Sequence, residues 1–473
     1  MKSQQAITQP NNQNWLATGA LLVGAFMNML DATIANLALP AIRDDLGAGP
    51  NIQQWVLVAY LLTFAAGLLP LGRFGDLFGR KRMFMAGLCG FLATSLAAGM
   101  ATSAYGLVFS RAVQGAAGAA MVPQVLAIIH ELFEPEERGK AIGLFGMVNA
   151  LGAVAGPVIG GLLISADLYG LGWRLVFLIN LPIGLAALAG AALWLPKDKA
   201  SRRGKADWLG AGCFAFCISL LIYPMIEGKS LGWPVWLIAA PVVATIFALA
   251  FWRRQRWLAA ADRLETLPTT LMTHSGYVTG VASVMVVISG LSGTMVILAI
   301  TLQTGLGLTP AAAGLAIISH PLCAMLASFF SGRFGARWLA LRMTGGLFCL
   351  FVGLVGLRIA GMTMMSGVDI LGPLILVGSG AGLIFVALFQ STLAEVSASD
   401  AGAGSGALQA CQQVGIAFGI AIVGQIFFAM LQSPYVGDGY RTAFTTALNY
   451  PIVVTAALFL FSLRKYLFKR TNR

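Results

Sequence analysis

The chain has 473 residues, of which 58% are hydrophobic and only 10% are charged, and its formal net charge is +12. Soluble domains carry about 25% charged residues, so this composition excludes an ordinary water-soluble protein. An α-helix needs roughly 20 apolar residues to cross a bilayer, and the apolar runs of this chain predict an all-α polytopic membrane protein.

About fourteen apolar runs follow one another along the sequence, each long enough for one membrane-spanning helix. They lie near residues 15–39, 52–71, 83–102, 106–129, 139–164, 173–195, 208–226, 233–252, 274–303, 310–331, 336–359, 368–392, 402–432 and 441–463. The runs at 274–303 and 402–432 are longer than a straight span requires, which predicts tilt, kinks or segments outside the lipid.

The basic residues mark one side of the predicted membrane protein. Of the 30 lysines and arginines, all but six fall in the terminal segments or in every second loop. The six exceptions are Arg43, Arg111, Arg174, Lys229, Arg358 and Arg441. Cytoplasmic loops carry an excess of lysine and arginine, so both termini are predicted to be cytoplasmic. This distribution also accounts for the positive net charge without a nucleic-acid partner.

Several function classes find no support in the sequence. No cleavable signal peptide is recognisable, because the first fourteen residues are polar and the first apolar run is too long. We find no catalytic triad, phosphate-binding loop or dinucleotide fingerprint, so we expect no enzyme activity and no cofactor. All six cysteines lie inside predicted spans. The closest pair, Cys213 and Cys217, provides too few ligands for a metal, so we expect no metal site.

The sequence Gly-Arg-Phe-Gly occurs twice, at 72–75 after the second predicted span and at 332–335 after the tenth. Two six-helix halves separated by a two-helix insertion would produce this offset, and internal repeats are typical of secondary transporters. The predicted organisation has five parts. They are a cytoplasmic tail at 1–14, a six-helix bundle at 15–195, a basic linker with an inserted helix pair at 196–263, a second six-helix bundle at 264–463 and a basic cytoplasmic tail at 464–473.

Six motifs spread over nearly the whole chain point to one protein family. GRFGDLFGRKR (72–82) resembles the loop signature of the major facilitator superfamily, and RAVQGAAGAAMVP (111–123) resembles its fourth-helix motif. GLFGMVNALGAVAGPVIGGLL (143–163) resembles the fifth-helix motif of its antiporters. The fourteen-helix drug:proton antiporter branch has sequences similar to LDATIANLALPAI (30–42), WRLVFLINLPIG (173–184) and the C-terminal AGAGSGALQACQQVGIAFGIAIVGQIFF.

The resemblance implies the major facilitator fold, with two six-helix bundles and two inserted helices, in a bacterial inner membrane. It implies export of lipophilic, cationic small molecules by alternating access, in exchange for protons and with the proton gradient as energy source. We expect the lipid bilayer as environment and a monomer as oligomeric state. Two alternatives stay open. One is a proton-linked transporter of a specific metabolite, siderophore or lipid-like compound, and the other is a non-transporting membrane sensor.

The first copy of the repeated turn contains one acid, Asp76, among basic residues and glycines. Its candidate functional residues are Gly72, Arg73, Asp76, Gly79, Arg80 and Lys81. The resemblance implies that Asp76 holds the inner side closed through basic partners and a helix N-terminus in the other half. The span that begins near Gly402 would supply this N-terminus, since helix N-termini attract negative charge. Ala336 aligns with Asp76 in the second copy, which predicts that only the first turn keeps the latch. A solvated basic loop is the alternative.

Two ionisable residues lie within predicted spans, Asp31 in the first and Arg111 in the fourth. Ionisable groups are costly in a bilayer and therefore indicate function. The resemblance implies proton coupling at Asp31 and a relay through Arg111 with Gln114. A static Asp31–Arg111 pair that holds two helices together is the alternative. On the first span, one helical face is predicted to line a cavity; it carries Gly24, Asn28, Asp31 and Ala35.

The fifth span repeats glycine at four-residue intervals beside a proline. The residues of this antiporter helix are Gly152, Gly156, Pro157, Gly160 and Gly161. Small residues at this spacing let helix backbones approach closely, and proline weakens local helix hydrogen bonding. A bending or sliding surface that limits leak is one interpretation, and ordinary close packing is the other.

Polar and aromatic residues inside spans are the candidates for a substrate cavity. They are Asn28, Tyr60, Phe64, Met147, Asn149 and Gln303. Aromatic faces with a carboxylate would suit a lipophilic cation, whereas Arg111 would favour an anion. Glu227, at the outer end of the inserted pair, is expected at a solvated helix end rather than at a second protonation site.

Overall fold

The structure, a computed structural model of the 473-residue chain, describes residues 11–48, 50–198, 206–228, 231–232, 234–308, 310–335, 337–363, 367–431 and 439–471. These residues form α-helices and short 3-10 or π turns, and no strand occurs among them. The helices are α1 (Asn11–Leu46), α2 (Pro50–Phe78), α3 (Arg80–Gly99), α4 (Ala104–Leu132), α5 (Pro135–Ala166), α6 (Leu175–Leu178), α7 (Asn180–Trp194), α8 (Trp208–Glu227), α9 (Val235–Ala260), α10 (Thr269–Thr273), α11 (Ser275–Ile300), α12 (Pro310–Ile317), α13 (Ser319–Arg333), α14 (Leu339–Met362), α15 (Gly367–Leu393), α16 (Ala401–Leu431), α17 (Gly439–Ala447) and α18 (Asn449–Thr471).

The described part of the chain contains 14 helical segments that are long and apolar enough to cross a membrane, which confirms the predicted number. Three of them consist of two helices each, namely α6 with α7, α12 with α13, and α17 with α18. The helix α10 is too short to cross. An all-helical architecture is expected in lipid, because helices satisfy their own backbone hydrogen bonds there.

The spans form two bundles that meet at two glycine-rich crossings. Helices α1–α7 form the first bundle, and α11–α18 form the second. At one crossing, between α2 and α16, a Cβ on Gly72 would lie 2.5 Å from the Gly402 carbonyl oxygen. At the other, between α5 and α13, a Cβ on Gly143 would lie 2.6 Å from the Gly332 Cα. Only residues without a side chain permit backbones to approach this closely.

The inserted pair, α8 and α9, packs along the outside of one crossing. Helix α8 contacts both α2 and α16, and therefore touches both bundles. Ile218 and Ile222 of α8 pack in a cluster with Ala65 of α2 and Val414 of α16. Helix α9 packs mainly on α8. The pair therefore lies beside the junction between the two bundles.

A buried carboxylate fixes the start of α8 to the end of α9. Asp207 accepts hydrogen bonds from the Gly210 N–H (3.0 Å), Arg254 Nε (2.5 Å) and Gln255 Nε2 (3.0 Å). Burial alone would raise the pKa of Asp207, but these hydrogen bonds and the Arg254 charge outweigh it and hold the pKa below its ordinary value. Asp207 is therefore a charged anchor for the inserted pair.

Several predicted boundaries differ from the structure. Helix α1 begins at Asn11, so the end of the predicted tail at 1–14 is helical, and residues 1–10 lie outside the described part. The predicted basic tail at 464–473 is helical over most of its length, since α18 continues to Thr471. The span predicted at 233–252 likewise extends to Ala260. Hydropathy marks where a helix leaves the lipid, whereas the backbone hydrogen bonds of the helix can continue beyond that point.

One expectation about the inserted pair is wrong. Glu227 was expected at a solvated helix end, but its residue exposure is only 4%. Tyr223, one turn before Glu227 on α8, packs against Trp55 of α2 and Trp236 of α9. Ala336, the residue aligned with Asp76 in the second turn, lies outside the described residues.

Candidate functional site

Asp31 and Arg111 form a buried ion pair inside the first bundle. Asp31 lies on α1 and is 0% exposed, and Arg111 lies near the start of α4 and is 1% exposed. Arg111 Nη1 donates to Asp31 Oδ2 at 2.5 Å, and Arg111 Nε donates to the Val56 carbonyl at 3.1 Å. Two unit charges in so apolar a setting are costly to bury unless they are paired and hydrogen-bonded.

Two side-chain amides complete the coordination of the Asp31 carboxylate. Gln114 accepts from Arg111 Nη1 at 2.6 Å and donates from Nε2 to Asp31 Oδ1 at 3.1 Å. Asn180 Nδ2 donates to the same oxygen at 2.8 Å. Both amides also donate to Ser95 Oγ, at 2.7 Å from Gln114 and 3.2 Å from Asn180. The carboxylate thus receives hydrogen bonds from α4 and α7 together.

Sequence reasoning missed Asn180 and Ser95. Asn180 stands inside the motif WRLVFLINLPIG, so a buried polar residue in that run was an available signal. Ser95 lies in the small-residue run of α3, where serine is common packing material. Its sequence context therefore carries no signal for this site.

The aromatic groups of the site surround Arg111 rather than open space. The Arg111 guanidinium carbon lies 4.3 Å from the centre of the Tyr60 ring and 5.6 Å from that of Phe177. The Tyr60 hydroxyl donates to Asn28 Oδ1 at 2.9 Å, and the Tyr60 and Phe64 rings stack with centroids 5.8 Å apart. In this conformation the Tyr60 face is therefore occupied by a cation of the protein itself.

The predicted cavity-lining face of α1 is wrong for this conformation. Asn28 is 8% exposed, and Asp31 and Ala35 are both 0% exposed. A Cβ on Gly24 would lie 3.0 Å from the Phe84 ring. The stripe packs against neighbouring helices of its own bundle because its small residues allow close approach.

The other candidate cavity residues are dispersed. Met147 and Asn149 are partly exposed on α5, and the Asn149 amide donates to the Phe145 carbonyl of its own helix at 2.8 Å. Gln303 is exposed in the π-helical turn Thr301–Gly305 that follows α11. The structure therefore brings Asn28, Tyr60 and Phe64 together, and it does not place Gln303 with them. A role in substrate binding stays a prediction for all six residues.

The glycines of α5 pack against the part of α1 that carries Asp31. Added Cβ atoms would lie 2.9 Å from Met29 at Gly152, 2.0 Å from Thr33 at Gly156 and 2.7 Å from Ile34 at Gly160. Gly161 has open space instead, and Pro157 is exposed. These last two residues do not belong to the helix contact, because they lie on other faces of α5.

The Asp76 carboxylate binds the start of α16 in the opposite bundle. Its oxygens accept the backbone N–H groups of Gly402 and Ala403, each at 2.9 Å. Arg80 Nη2 donates to it at 2.8 Å, and Arg73 Nη1 lies 3.5 Å away. Asp76 is thus held by two arginines of its own bundle and by a helix N-terminus of the other, where a negative charge is favoured.

The two arginines extend this contact on both sides. Arg73 donates to the Asp400 carboxylate at 2.7 Å and to the Glu265 carbonyl oxygen at 2.7 Å. Arg80 donates to Glu131 Oε2 at 3.1 Å. Arg73 therefore joins the first bundle to the second, and also to the segment that leads from the inserted pair into the second bundle.

The remaining residues of the turn have local roles. Gly79 adopts φ of 106°, a conformation that side chains rarely permit, and connects α2 to α3 without a loop. Lys81 and Arg82 donate their backbone N–H groups to Asp198 at 2.8 and 3.3 Å. The Lys81 ammonium donates to the Leu195 carbonyl at 2.7 Å. Lys81 thus ties α3 to the end of α7 and makes no described contact with Asp76.

The second Gly-Arg-Phe-Gly turn lies at the other crossing. Gly332 packs on Gly143, and a Cβ on Gly139 would lie 2.6 Å from the Gly335 Cα. Here Arg342 is buried and donates to backbone carbonyls and to Gln390 Oε1 at 3.0 Å. We call the end of the molecule that holds both turns, the start of α16 and the start of α5 the basic-loop end. Contacts between the bundles close this end.

Among the described residues, no group of three or more histidine, cysteine, aspartate or glutamate side chains could hold a metal ion. The charged residues of the site are instead arranged in hydrogen-bonded pairs and networks. Such an arrangement can store, move or exchange a proton, and it can hold two helical bundles in one relative position.

The sequence profile of the Major Facilitator Superfamily matches residues 21–420. The chain belongs to this superfamily. It is 38% identical over 434 residues to a probable actinorhodin transporter of Streptomyces coelicolor, covering 90% of this chain and 74% of that protein. It is 30% identical to the multidrug resistance protein Stp of Mycobacterium tuberculosis, covering 88% of this chain and 76% of that protein. The tetracenomycin C resistance and export protein of Streptomyces glaucescens is also 30% identical, with coverage of 93% and 79%.

Solved structures show the same fold. The human organic anion transporter MFSD10 superposes with a TM-score of 0.68 at 15% identity, covering 95% of this chain and all of that chain. The proton:xylose symporter XylE superposes with a TM-score of 0.67 at 13% identity, covering 96% and 97%. The superfamily chain is therefore a multi-pass membrane protein, and its bacterial relatives indicate the cell membrane.

Proposed function

We propose that this superfamily member is a proton-coupled exporter of lipophilic small molecules that works by alternating access. The proposal rests on the buried Asp31–Arg111 pair on α1 and α4, to which Gln114 and Asn180 are hydrogen-bonded. Relatives named for resistance to or export of tetracenomycin C and puromycin support export of small molecules. The proton gradient is the energy source in this proposal.

The coupling step takes place at Asp31. As a carboxylate, Asp31 attracts Arg111 and accepts two further hydrogen bonds, one from Gln114 and one from Asn180. A proton that reaches Asp31 removes the charge, so the attraction that joins α1 to α4 weakens. Because the α5 glycines pack against the same turns of α1, a change in the α1–α4 contact can alter how α1 and α5 slide.

The latch at Asp76 supplies the second part of the cycle. With the basic loops on the cytoplasmic side, the contacts of Asp76 and Arg73 with the second bundle close the inner side. Breaking them opens the inner side to substrate, and reforming them exposes the substrate to the outside. Both termini are cytoplasmic in this arrangement, and the working unit is a monomer in the lipid bilayer.

A cationic substrate would have to displace Arg111 to reach Asp31. The carboxylate is buried in this conformation and Tyr60 stacks on Arg111, so a cation gains access only after the pair opens. If the substrate and a proton compete for Asp31, the binding of one releases the other. Substrate would then be exchanged for protons across the membrane. This is the basis on which we propose lipophilic cations as the substrate class.

A second candidate is an exporter of one specific compound. It is favoured by relatives whose names specify single compounds, namely the probable actinorhodin transporter and the cephamycin export protein. The two candidates share the same coupling machinery and differ in the breadth of their substrates.

Transport by the purified protein in liposomes tests the proposal. With an imposed pH gradient, we expect movement of at least one of a panel of lipophilic cations and neutral aromatic compounds, and none without the gradient. Movement of several unrelated cations supports the broad exporter, and movement of one compound supports the specific exporter. A folded protein that moves compounds equally well with and without the gradient would contradict proton coupling.

A further inference from the structure

In the described structure, the nitrogen of the Asn180 side-chain amide is hydrogen-bonded and its oxygen is not. Its Nδ2 donates to Asp31 Oδ1 and to Ser95 Oγ, while its Oδ1 is buried and has no hydrogen-bond partner within the described part of the chain. Asn180 itself is 0% exposed. Buried carbonyl oxygens are rarely left unpaired, and each exception calls for an explanation.

The unpaired oxygen has a use when Asp31 carries a proton. A carboxylate only accepts hydrogen bonds, whereas a carboxylic acid also donates one through its O–H group. Of the groups around Asp31, Arg111 only donates, and Gln114 Oε1 already accepts from Arg111 at 2.6 Å. The Tyr60 hydroxyl donates to Asn28. Asn180 Oδ1 is the nearby amide acceptor that is not already used.

We propose that Asn180 is an amide switch that reads the protonation state of Asp31. When a proton forms an O–H bond on Asp31 Oδ1, the Asn180 amide rotates by a half turn about its last side-chain bond. Asn180 Oδ1 then accepts from the new O–H, and Nδ2 leaves Asp31 and Ser95 for the position that Oδ1 held. Ser95 Oγ, which accepted from Nδ2, can now donate to Oδ1.

Each orientation leaves one end of the Asn180 amide without a hydrogen bond to the described residues. The carboxylate favours the orientation that points Nδ2 at Asp31, and the carboxylic acid favours the one that points Oδ1 at it. The proton on Asp31 decides between them. The charged and titratable groups that face Asp31 are Arg111 and Tyr60. Arg111 has no acceptor atom, and the described hydrogen bond of the Tyr60 hydroxyl is with Asn28 rather than with Asp31.

The position of Asn180 allows the switch to act on its span. Asn180 lies at the junction of α6 and α7, where Ile179 keeps helical dihedral angles and donates its N–H to the Leu175 carbonyl oxygen. Pro182, two residues further on, has no N–H to donate to the preceding turn. Phe177, one residue before the junction's Leu178, lies 5.6 Å from the Arg111 guanidinium. A rotation of the amide can therefore act where the sixth span lacks one helix hydrogen bond. Asn180 is a positioning residue in this scheme, and the scheme rests on the proposed proton coupling at Asp31.

Infrared titration of the purified protein tests the switch without any transport assay. The carboxylic-acid band of Asp31 is identified by its loss in Asp31→Asn, and asparagine side-chain carbonyls are labelled with ¹³C. We expect one labelled amide band to move to lower wavenumber in step with protonation of Asp31, because its oxygen gains a hydrogen bond. This companion band should be absent in Asn180→Leu and present in Asn36→Leu. Asn36 is an exposed control whose amide, among the described contacts, donates to backbone carbonyls of its own helix.

The proton affinity of Asp31 in Asn180→Leu separates a switch from a fixed donor. A fixed donor stabilises only the carboxylate, so its loss should raise the proton affinity by roughly tenfold or more. A switch bonds both forms, so the affinity should change by less than about threefold. Asn180→Ala, which also has neither donor nor acceptor in its side chain, should behave like Asn180→Leu and serves if the leucine variant does not fold.

The outcomes are distinct. An Asp31 band that titrates without a companion amide band, together with a large rise in proton affinity in Asn180→Leu, would overturn the switch and leave proton coupling intact. Absence of any titrating Asp31 band would overturn both the coupling proposal and the switch.

Discussion

At the scale of single residues, the buried Asp31–Arg111 pair is expected to contribute to the stability of the first bundle. Removing one partner of a buried pair leaves an uncompensated charge, whereas removing both charges is often tolerated. Asp31 and Arg111 are at most 1% exposed. Removing one of them should therefore cost much more stability than removing both charges.

We predict that Arg111→Leu lowers the free energy of unfolding by about 3–5 kcal/mol, because Asp31 is left buried and unpaired. The double variant Asp31→Asn with Arg111→Leu should recover at least half of that loss. Thermal unfolding of the purified proteins in detergent measures both changes. A double variant that loses as much stability as Arg111→Leu, or more, would show that the two side chains do not stabilise each other.

The residues of this site differ in how visible they are in the sequence. Asp31, Arg111 and Gln114 could be predicted because charged side chains are rare in apolar spans and the last lies one turn from Arg111. Asn180 was signalled only as a polar residue in an apolar motif, and Ser95 joins the site only through the fold, which packs α3 against α4 and α7 and packs α7 against α1. The packing of Asn28, Tyr60 and Phe64 inside the bundle could not be predicted. Helices that are apolar on all sides have no periodicity that separates a cavity face from a packed face.

At the scale of helices, the α1–α5 contact offers a matched pair of glycines. Gly156 has no room for a side chain, since a Cβ would lie 2.0 Å from Thr33 Oγ1, whereas Gly161 has open space. We predict that Gly156→Ala costs about 1–3 kcal/mol through overpacking and slows transport. Gly161→Ala should leave transport unchanged, and should leave the free energy of unfolding unchanged or raise it by up to about 1 kcal/mol. Thermal unfolding and liposome transport of the two variants check this, and similar effects at both positions would contradict it.

The contact between Asp76 and α16 is a second element-scale feature that can be tested. In Asp76→Asn the amide keeps one acceptor oxygen but loses its charge for Arg73, Arg80 and the α16 N-terminus. Hydrogen bonds to charged groups contribute about 1.5–3 kcal/mol, so we predict that the basic-loop end opens in a larger fraction of molecules.

Spin labels at exposed Arg82 and Ala340, in a chain without its native cysteines, measure this opening as a population of longer distances. Asp44→Asn is the control, because Asp44 is exposed and pairs only with neighbouring Arg43 in the described structure. An unchanged distance distribution in Asp76→Asn would show that the contact does not hold the bundles together.

The anchor of the inserted pair predicts a dependence on pH. Asp207 has a pKa below its ordinary value of 3.8 in the folded protein, so its stabilisation is present above that value. It is lost as the pH falls through the lowered pKa. At about pH 7, Asp207→Asn should lose about 1–3 kcal/mol of stability, and the difference from the unaltered chain should shrink below about pH 4.

Thermal unfolding across this pH range measures the effect, with Asp262→Asn as an exposed control on the same segment. A difference that stays constant down to the lowest pH would show that Asp207 acts through packing rather than through its charge.

Helix existence could be predicted from the sequence more readily than helix interruptions. The apolar runs are long, and this length predicted fourteen spans. The junctions at Ile179 and Ile318 each lie three residues before a proline, whose missing N–H removes one helix hydrogen bond. Pro123 and Pro157 lie inside α4 and α5 without such a junction, so a proline alone does not decide where a helix is interrupted.

At the scale of the whole molecule, the repeated turn has a place at each contact between the bundles. The first copy packs Gly72 on Gly402, and the second packs Gly332 on Gly143. In this arrangement, two related halves meet through equivalent glycine-rich crossings, as expected from an internal repeat. The described ionic contact with a helix N-terminus is at the first crossing, through Asp76. The inserted helix α8 lies along that same crossing and touches both halves.

Proton coupling at Asp31 is tested by two transport modes of one lipophilic cation. Gradient-driven transport and gradient-independent exchange of this cation are measured in liposomes for the unaltered chain and for Asp31→Asn. We expect Asp31→Asn to lose both, because its neutral side chain neither takes up a proton nor attracts the cation. Gradient-driven transport that survives in Asp31→Asn would contradict coupling at Asp31 and move the coupling site elsewhere.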